Sequence, residues 1–203
     1  MIREKNRATI DADAELVKSC RTGDLRAFET LVEKYRNRMF TLVYRILGDY
    51  DDAAEVTQDA FVAAWRALGK FRGEALFSTW LTRITVNLSR NRLQQTRTRS
   101  SREAYSLDEP IPGCEECRHS DPPSDGPSAQ EMLEREEIRI RVQGCINGLE
   151  PGYREVLLLR DVEEYSYGEI GGMLGLAEGT VKSRISRARE AIRGCLKRVL
   201  GEI

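Results

Sequence analysis

The chain has one histidine, His119, in its 203 residues. That histidine sits in a proline-rich stretch, and no phosphate-cradling glycine loop or nucleophile motif accompanies it. No catalytic constellation is therefore legible, and a non-enzymatic protein without a cofactor is expected. Long apolar runs are also lacking: nothing approaches the roughly 20 residues that a bilayer crossing needs. The opening MIREKNRATIDADAELVKS has neither the apolar stretch nor the small-residue cleavage site of a secretory leader, so the expected location is cytoplasmic. Cysteine is scarce and odd in number. Cys20, Cys114, Cys117, Cys145 and Cys195 are too scattered for a disulfide framework, and reduced thiols are the expectation. Strand-like alternation and internal repeats are missing as well, which leaves an all-helical reading.

A net charge of -1 conceals two basic stretches. Between Ala75 and Arg102 there is no acid, only Arg83, Arg90, Arg92, Arg97, Arg99 and Arg102. Between Thr180 and Val199 stand Lys182, Arg184, Arg187, Arg189, Arg193, Lys197 and Arg198 against Glu190 alone. Two separated cationic segments point to two contacts with a polyanion, which total charge would miss. Ordinary solvated helix faces are the plainer alternative for either stretch taken singly.

Helical periodicity supplies the organisation. Phe28, Leu31, Val32, Tyr35, Met39, Leu42, Val43, Ile46 and Leu47 recur at helical spacing, and Gly48 stops that helix. The next segment opens on acids and carries Val56, Ala60, Ala64 and Leu68 on one face. After the glycine-bearing loop GKFRGEALFST, with Ser78 or Thr79 as a cap, a helix places Trp80, Leu81, Ile84 and Leu88 inward. The pattern then fails. DEPIPGCEECRHSDPPSDGPSAQE holds five of the six prolines and reads as a flexible linker. Periodicity resumes near Met132. The expected division is a helical domain over 1–98, a linker over 99–130 and a second helical domain over 131–203.

The second domain contains YSYGEIGGMLGLAEGTVKSRISRARE. Ile170, Leu174, Leu176, Val181 and Ile185 are its apolar positions, and Gly175 suits the tight turn of a helix-turn-helix. Glu178 and Thr180 suit the start of the second helix. With Val181 and Ile185 inward, Lys182, Ser183, Ser186, Arg187 and Arg189 face outward and Arg184 lies nearer the edge. Such a helix fits the DNA major groove, where Arg and Lys read guanine edges. A solvent-exposed helix of a small helical domain is the competing reading.

The ordered segments AFETLVEKYRNRMFTLVYRILGDYDDAAEVTQDAFVAAWRAL, FRGEALFSTWLTRITVNLSRNRL and LEPGYREVLLLRDVEEYSYGEIGGMLGLAEGTVKSRISRAREAIR resemble, in that order, regions two and four of extracytoplasmic-function (ECF) sigma factors of the sigma-70 family. The resemblance covers all but the N-terminal arm and the linker. It implies a subunit that binds core RNA polymerase and directs it to promoter DNA, under an anti-sigma factor. It implies polymerase docking by the helix holding Asp51, Asp52, Gln58, Asp59 and Phe61, with Phe61 and Trp65 either exposed there or part of the core. It implies minus-10 recognition by Phe71, Gly73, Arg83, Asn87 and Asn91, with a base extruded from the stack. It implies minus-35 reading by Lys182, Ser183, Ser186 and Arg187, with Arg184 and Arg189 on phosphates. Gly171 and Gly172 depart from the alanine more usual in the family, which predicts a less rigid first helix. The linker acids Asp108, Glu109, Glu115, Glu116 and Asp121 suit an electropositive channel or a plain spacer. Two readings compete: a stand-alone helix-turn-helix regulator, and metal or redox sensing through Cys114, Cys117 and His119, a set short of the four ligands of a closed zinc site.

Overall fold

The computed structural model describes residues 13–103 and 129–201. Its elements are helices: α1 (13–21), α2 (Leu25–Leu47), α3 (Tyr50–Ala67), α4 (Phe77–Glu103), α5 (Ala129–Asn147), α6 (Pro151–Leu157), α7 (Tyr167–Leu174) and α8 (Glu178–Leu200). A 3-10 turn, Leu68–Lys70, follows α3, and a wide π turn, Leu158–Val162, follows α6. The all-α expectation holds. Among the described residues there is no strand, and no helix is long and apolar enough to cross a membrane. The linker cysteines and His119 lie outside the described residues.

Local chemistry sets the helix ends. Asp24 accepts from the backbone N–H groups of Arg26 and Ala27 at 2.9 and 3.3 Å and so starts α2. Gly48, at φ 81°, ends it. Asp49 then caps α3 by accepting from Asp52 N–H at 2.8 Å. Pro151 occupies the first turn of α6, where its missing N–H costs nothing. α4 begins at Phe77, so Ser78 and Thr79 lie inside its first turn rather than capping it, and it runs on past Thr98 to Glu103.

α1–α4 enclose one core built from Leu31, Tyr35, Met39, Phe61, Ala64, Leu68, Phe77 and Leu81. The face of α2 matches the sequence pattern, with Leu31, Met39, Leu42, Val43 and Ile46 buried. α4 differs. Trp80, Ile84 and Leu88 are only half-buried, whereas Thr82, Thr85 and Ser89 are fully buried. Their hydroxyls are satisfied: Thr85 and Ser89 donate to Leu81 and Thr85 carbonyls at 3.0 and 2.9 Å. The cause is a second core, shared between the two halves of the chain. It joins Leu42, Ile46 and Val86 to Val156, Leu158, Leu159, Tyr165, Ile170, Leu174, Val181 and Ile185.

Charged side chains fasten the same interface. Arg38 Nε lies 2.6 Å from a Glu163 carboxylate oxygen, and Arg90 Nε lies 3.1 Å from Glu155. Buried Arg154 donates to the Ile46 carbonyl at 2.5 Å and to that of Leu149 at 3.2 Å, closing the free end of α2. Glu164 adopts a left-handed backbone, φ 61°, and turns the chain so that Tyr165 enters this interface.

The expectation of reduced thiols is corrected for one pair. Cys145 on α5 and Cys195 on α8 form a disulfide, their Cα atoms 5.7 Å apart. Cys20 is a buried free thiol.

Candidate nucleic-acid interface

α7 and α8 form the helix-turn-helix. Ser166 and Glu169 make a reciprocal capping box at the start of α7: Ser166 N–H donates to the Glu169 carboxylate at 2.8 Å, and Glu169 N–H donates to Ser166 Oγ at 3.3 Å. The spacing S-x-x-E at Ser166 and Glu169 is a signal for it that the sequence reading missed. Gly175, at φ 68°, makes the turn. Gly171 is required one turn earlier, since a Cβ there would stand 2.7 Å from the Leu176 carbonyl oxygen. The departure from alanine at Gly171 thus lets the chain pass close to α7. Gly172 has open space around it.

Val181, Ile185 and Ala188 bury the inner face of α8, and Lys182, Ser183, Ser186, Arg187 and Arg189 are exposed on the other. The sequence placed these five correctly. Their neighbours were not legible. Lys182 pairs with Glu178 at 2.8 Å, and its ammonium lies 5.6 Å from the centre of the Tyr167 ring, which also faces Arg160 at 5.0 Å. Arg187 donates to the Tyr153 hydroxyl at 3.4 Å. Arg189 grips Asp161 through two bonds, 3.0 and 2.5 Å. Bonding to Glu178, Tyr153 and Asp161 raises the pKa of Lys182, Arg187 and Arg189, respectively. Arg184 is half-buried, with its guanidinium against Gly152, at the edge of the exposed face. Glu178 and Thr180 lie in the first turn of α8, but the cap residue is Ala177, without a side-chain bond.

The minus-10 candidates fall into two places. Phe71 packs on Trp80, ring centres 4.9 Å apart, and meets Phe77 edge-on at 6.2 Å. With Gly73, at φ 74°, it borders a hollow of about 490 Å³ whose other walls include Asp13, Val17 and Thr79. Asn87 and Asn91, one turn apart and exposed on α4, border a separate hollow of about 680 Å³, closed on its far side by Pro151, Gly152 and Glu155. Arg83 is exposed one turn before Asn87 and borders neither.

The polymerase candidates on α3 are Asp51, Gln58 and Asp59, all exposed, and Asp52, half-buried and 3.5 Å from Arg92. Phe61 is buried, with 7% of its surface exposed, so an outward-pointing Phe61 is corrected to a core residue. It forms the floor of an apolar groove of about 770 Å³ between α2 and α3, walled by Phe28, Phe40, Tyr50, Val62 and Trp65, with Gln58 at its rim. Trp65 is half-buried and tilts against Phe28, ring centres 4.9 Å apart. Leu25, Tyr50 and Val62 leave apolar surface exposed there. Among the described residues no cluster of His, Cys, Asp and Glu is placed to hold a metal ion.

This arrangement, a helical bundle with a basic fourth helix joined to a helix-turn-helix, has known counterparts. The Sigma-70 region 2 family model matches residues 31–99, and that for Sigma-70, region 4 matches residues 139–192. The chain is 37% identical over 194 residues to the RNA polymerase sigma-H factor of Pseudomonas aeruginosa, across 96% of this chain and 98% of that relative. It is 35% identical over 182 residues to the ECF RNA polymerase sigma factor SigW of Bacillus subtilis, across 89% and 95% of the two. Its fold is similar to that of CnrH in a solved complex with the cytosolic domain of CnrY, with TM-score 0.64 and 27% identity over 93% of this chain and 99% of that one. These matches define a transcription initiation factor of the sigma-70 type. The chain belongs to the ECF class of that family.

Proposed function

We propose that the chain works in the cytoplasm as the promoter-reading subunit of an RNA polymerase holoenzyme, without reaction chemistry of its own. α8 reads the minus-35 element with Lys182, Ser183, Ser186 and Arg187, and Arg184 and Arg189 flank them toward phosphate. Asn87 and Asn91 face the minus-10 element, with Arg83 on the backbone, and the hollow beside Phe71 and Gly73 receives an extruded base. The apolar groove over Phe61, with Gln58 at its rim and Asp51, Asp52 and Asp59 on the same helix, takes core polymerase. We divide the chain into a region-2 unit ending near Thr98 and a region-4 unit beginning near Glu131.

The observation that carries this reading is the division of α8: three buried anchors on one side, and three cations with two serines exposed on the other. A stand-alone regulator would account for α7 and α8 but leaves the apolar α2–α3 groove without an occupant. CnrH, solved in complex with a second protein, supports control by an inhibitory anti-sigma protein that competes for these surfaces. The test is assembly followed by probing of the open promoter. The chain is expected to co-purify with core polymerase and to expose promoter thymines to permanganate. Asn87→Ala is expected to bind the promoter but to expose fewer of them. A chain that ignores core polymerase and binds operator DNA alone would favour the regulator instead.

A further inference from the structure

The disulfide of the region-4 unit lies outside every surface assigned so far. We infer that Cys145 and Cys195 form a reversible thiol–disulfide exchange site, served by a low-molecular-weight thiol and its disulfide, which sets how firmly α8 is held to α5.

The geometry localises the effect. α8 has buried anchors only at Val181, Ile185 and Ala188, all in its first half. Beyond Ala188 its inward residues, Ile192, Cys195, Leu196, Val199 and Leu200, are half-buried. α5 is held near its C-terminus, where Cys145, Ile146 and Leu149 are buried and Gln143 donates to the Arg45 carbonyl at 3.4 Å. The Cys145–Cys195 bond therefore ties the weakly seated half of α8 to the well-seated end of α5. It also closes a long loop, spanning a sequence separation of 50 residues that contains α6, α7 and most of α8. Closing such a loop restricts the unfolded chain, which favours the folded unit. The readers Lys182 to Arg187 lie on the anchored half, so exchange acts on the persistence of the unit rather than on base reading.

The two sulfurs differ in access. Cys145 is 3% exposed, whereas Cys195 is half-buried at the rim. In the reducing direction an external thiolate attacks Sγ of Cys195. The Sγ–Sγ bond breaks, a mixed disulfide forms on Cys195, and Cys145 leaves as a thiolate that takes up a proton. A second external thiolate attacks the external sulfur of the mixed disulfide, releasing Cys195 as thiolate and leaving the small-molecule disulfide. Two electrons pass from the external thiols to the protein pair, and the oxidising direction is the reverse.

The full chain is equilibrated in graded mixtures of reduced and oxidised glutathione, quenched by alkylation, and mapped by mass spectrometry, and the same samples are melted. The Cys145–Cys195 cross-linked peptide is expected to appear and disappear reversibly across the series. The oxidised chain is expected to melt about 5 °C or more above the reduced chain. Cys145→Ala/Cys195→Ala is expected to melt with the reduced form in every mixture. If that variant does not fold, the wild-type comparison with and without reductant decides alone. The inference is overturned if the pair stays as thiols at the oxidising end, if the two forms melt within about a degree, or if Cys195 bonds Cys114 or Cys117 instead. None of these readouts depends on polymerase or promoter binding.

Discussion

The hydroxyl of Tyr165 lies 2.9 Å from that of Thr82, joining the loop before α7 to the second turn of α4. Thr82 is fully buried and Tyr165 nearly so, and Arg38 and Glu163 close over the pair. Through this contact the two halves share one apolar core. Minus-10 and minus-35 elements lie about 25 base pairs apart, or about 85 Å at roughly 3.4 Å per step. A compact chain of this length has a radius of gyration of about 17 Å. If both elements are read at once as proposed, the shared core is expected to open on the promoter. Tyr165→Phe removes the bond with Thr82 and the longer one that Arg38 donates at 3.5 Å, and is expected to cost the closed form about 1 kcal/mol. Fluorophores on α3 and α8 are the direct readout: the variant should shift toward the long-distance population at lower urea than wild type, and coincident curves would show that the bond does not matter.

Adjacent glycines on α7 have opposite consequences. Gly171→Ala drives a methyl group to 2.7 Å from a backbone oxygen and is expected to destabilise the region-4 unit by about 1–3 kcal/mol. Gly172→Ala meets open space in a helix interior and is expected to stabilise by about 0.5–1 kcal/mol. Urea midpoints of the two variants should fall on either side of wild type.

Salt dependence separates readers from braces on α8. Arg187→Ala is expected to lose about 1–3 kcal/mol of discrimination at one minus-35 position. Asp161→Asn frees Arg189 from its two-bond partner and is expected to steepen the slope of log affinity against log salt by about one phosphate contact. Holoenzyme binding to promoter fragments across a salt series gives both quantities. An unchanged slope would mean that Arg189 reaches no phosphate even when released.

Burial pushes the Glu155 carboxyl up from its ordinary 4.5, against the opposing pull of Arg90, Arg184 and Arg154. A carboxyl raised on folding holds its proton more tightly in the folded chain. Its contribution is full below about pH 4.5 and is lost as pH rises through the higher folded value. Glu155→Gln is expected to remove that decline, so wild type should lose stability relative to the variant as pH climbs from about 4.5. Urea titrations across this range check it, and parallel profiles would contradict it.

Much of the fold was written at short range. The α2 stripe, the stops at Gly48 and Gly175 and the outward set on α8 all follow from helical period and backbone chemistry, which any window of the sequence contains. What stayed hidden depends on partners far away in the chain. The burial of Thr82 and Thr85 was not legible because nothing nearby says that Tyr165 meets the one and Met39 of α2 the other. Phe61 reads as either exposed or core because α3 alone does not reveal where α2 lies. Cys145 and Cys195 look unrelated until α5 and α8 are side by side. Asp161 and Tyr153 carry no motif, and only their position beneath α8 gives them a role.

Multi-round transcription by core polymerase on fragmented DNA of the source genome, with sequencing of the RNA 5′ ends, addresses the central claim most directly. Adding the chain is expected to produce a discrete set of new start sites, each preceded by shared minus-10 and minus-35 sequences, and Arg187→Ala should deplete that set. A transcript population identical with and without the chain, under conditions where the two proteins co-purify, would contradict the account.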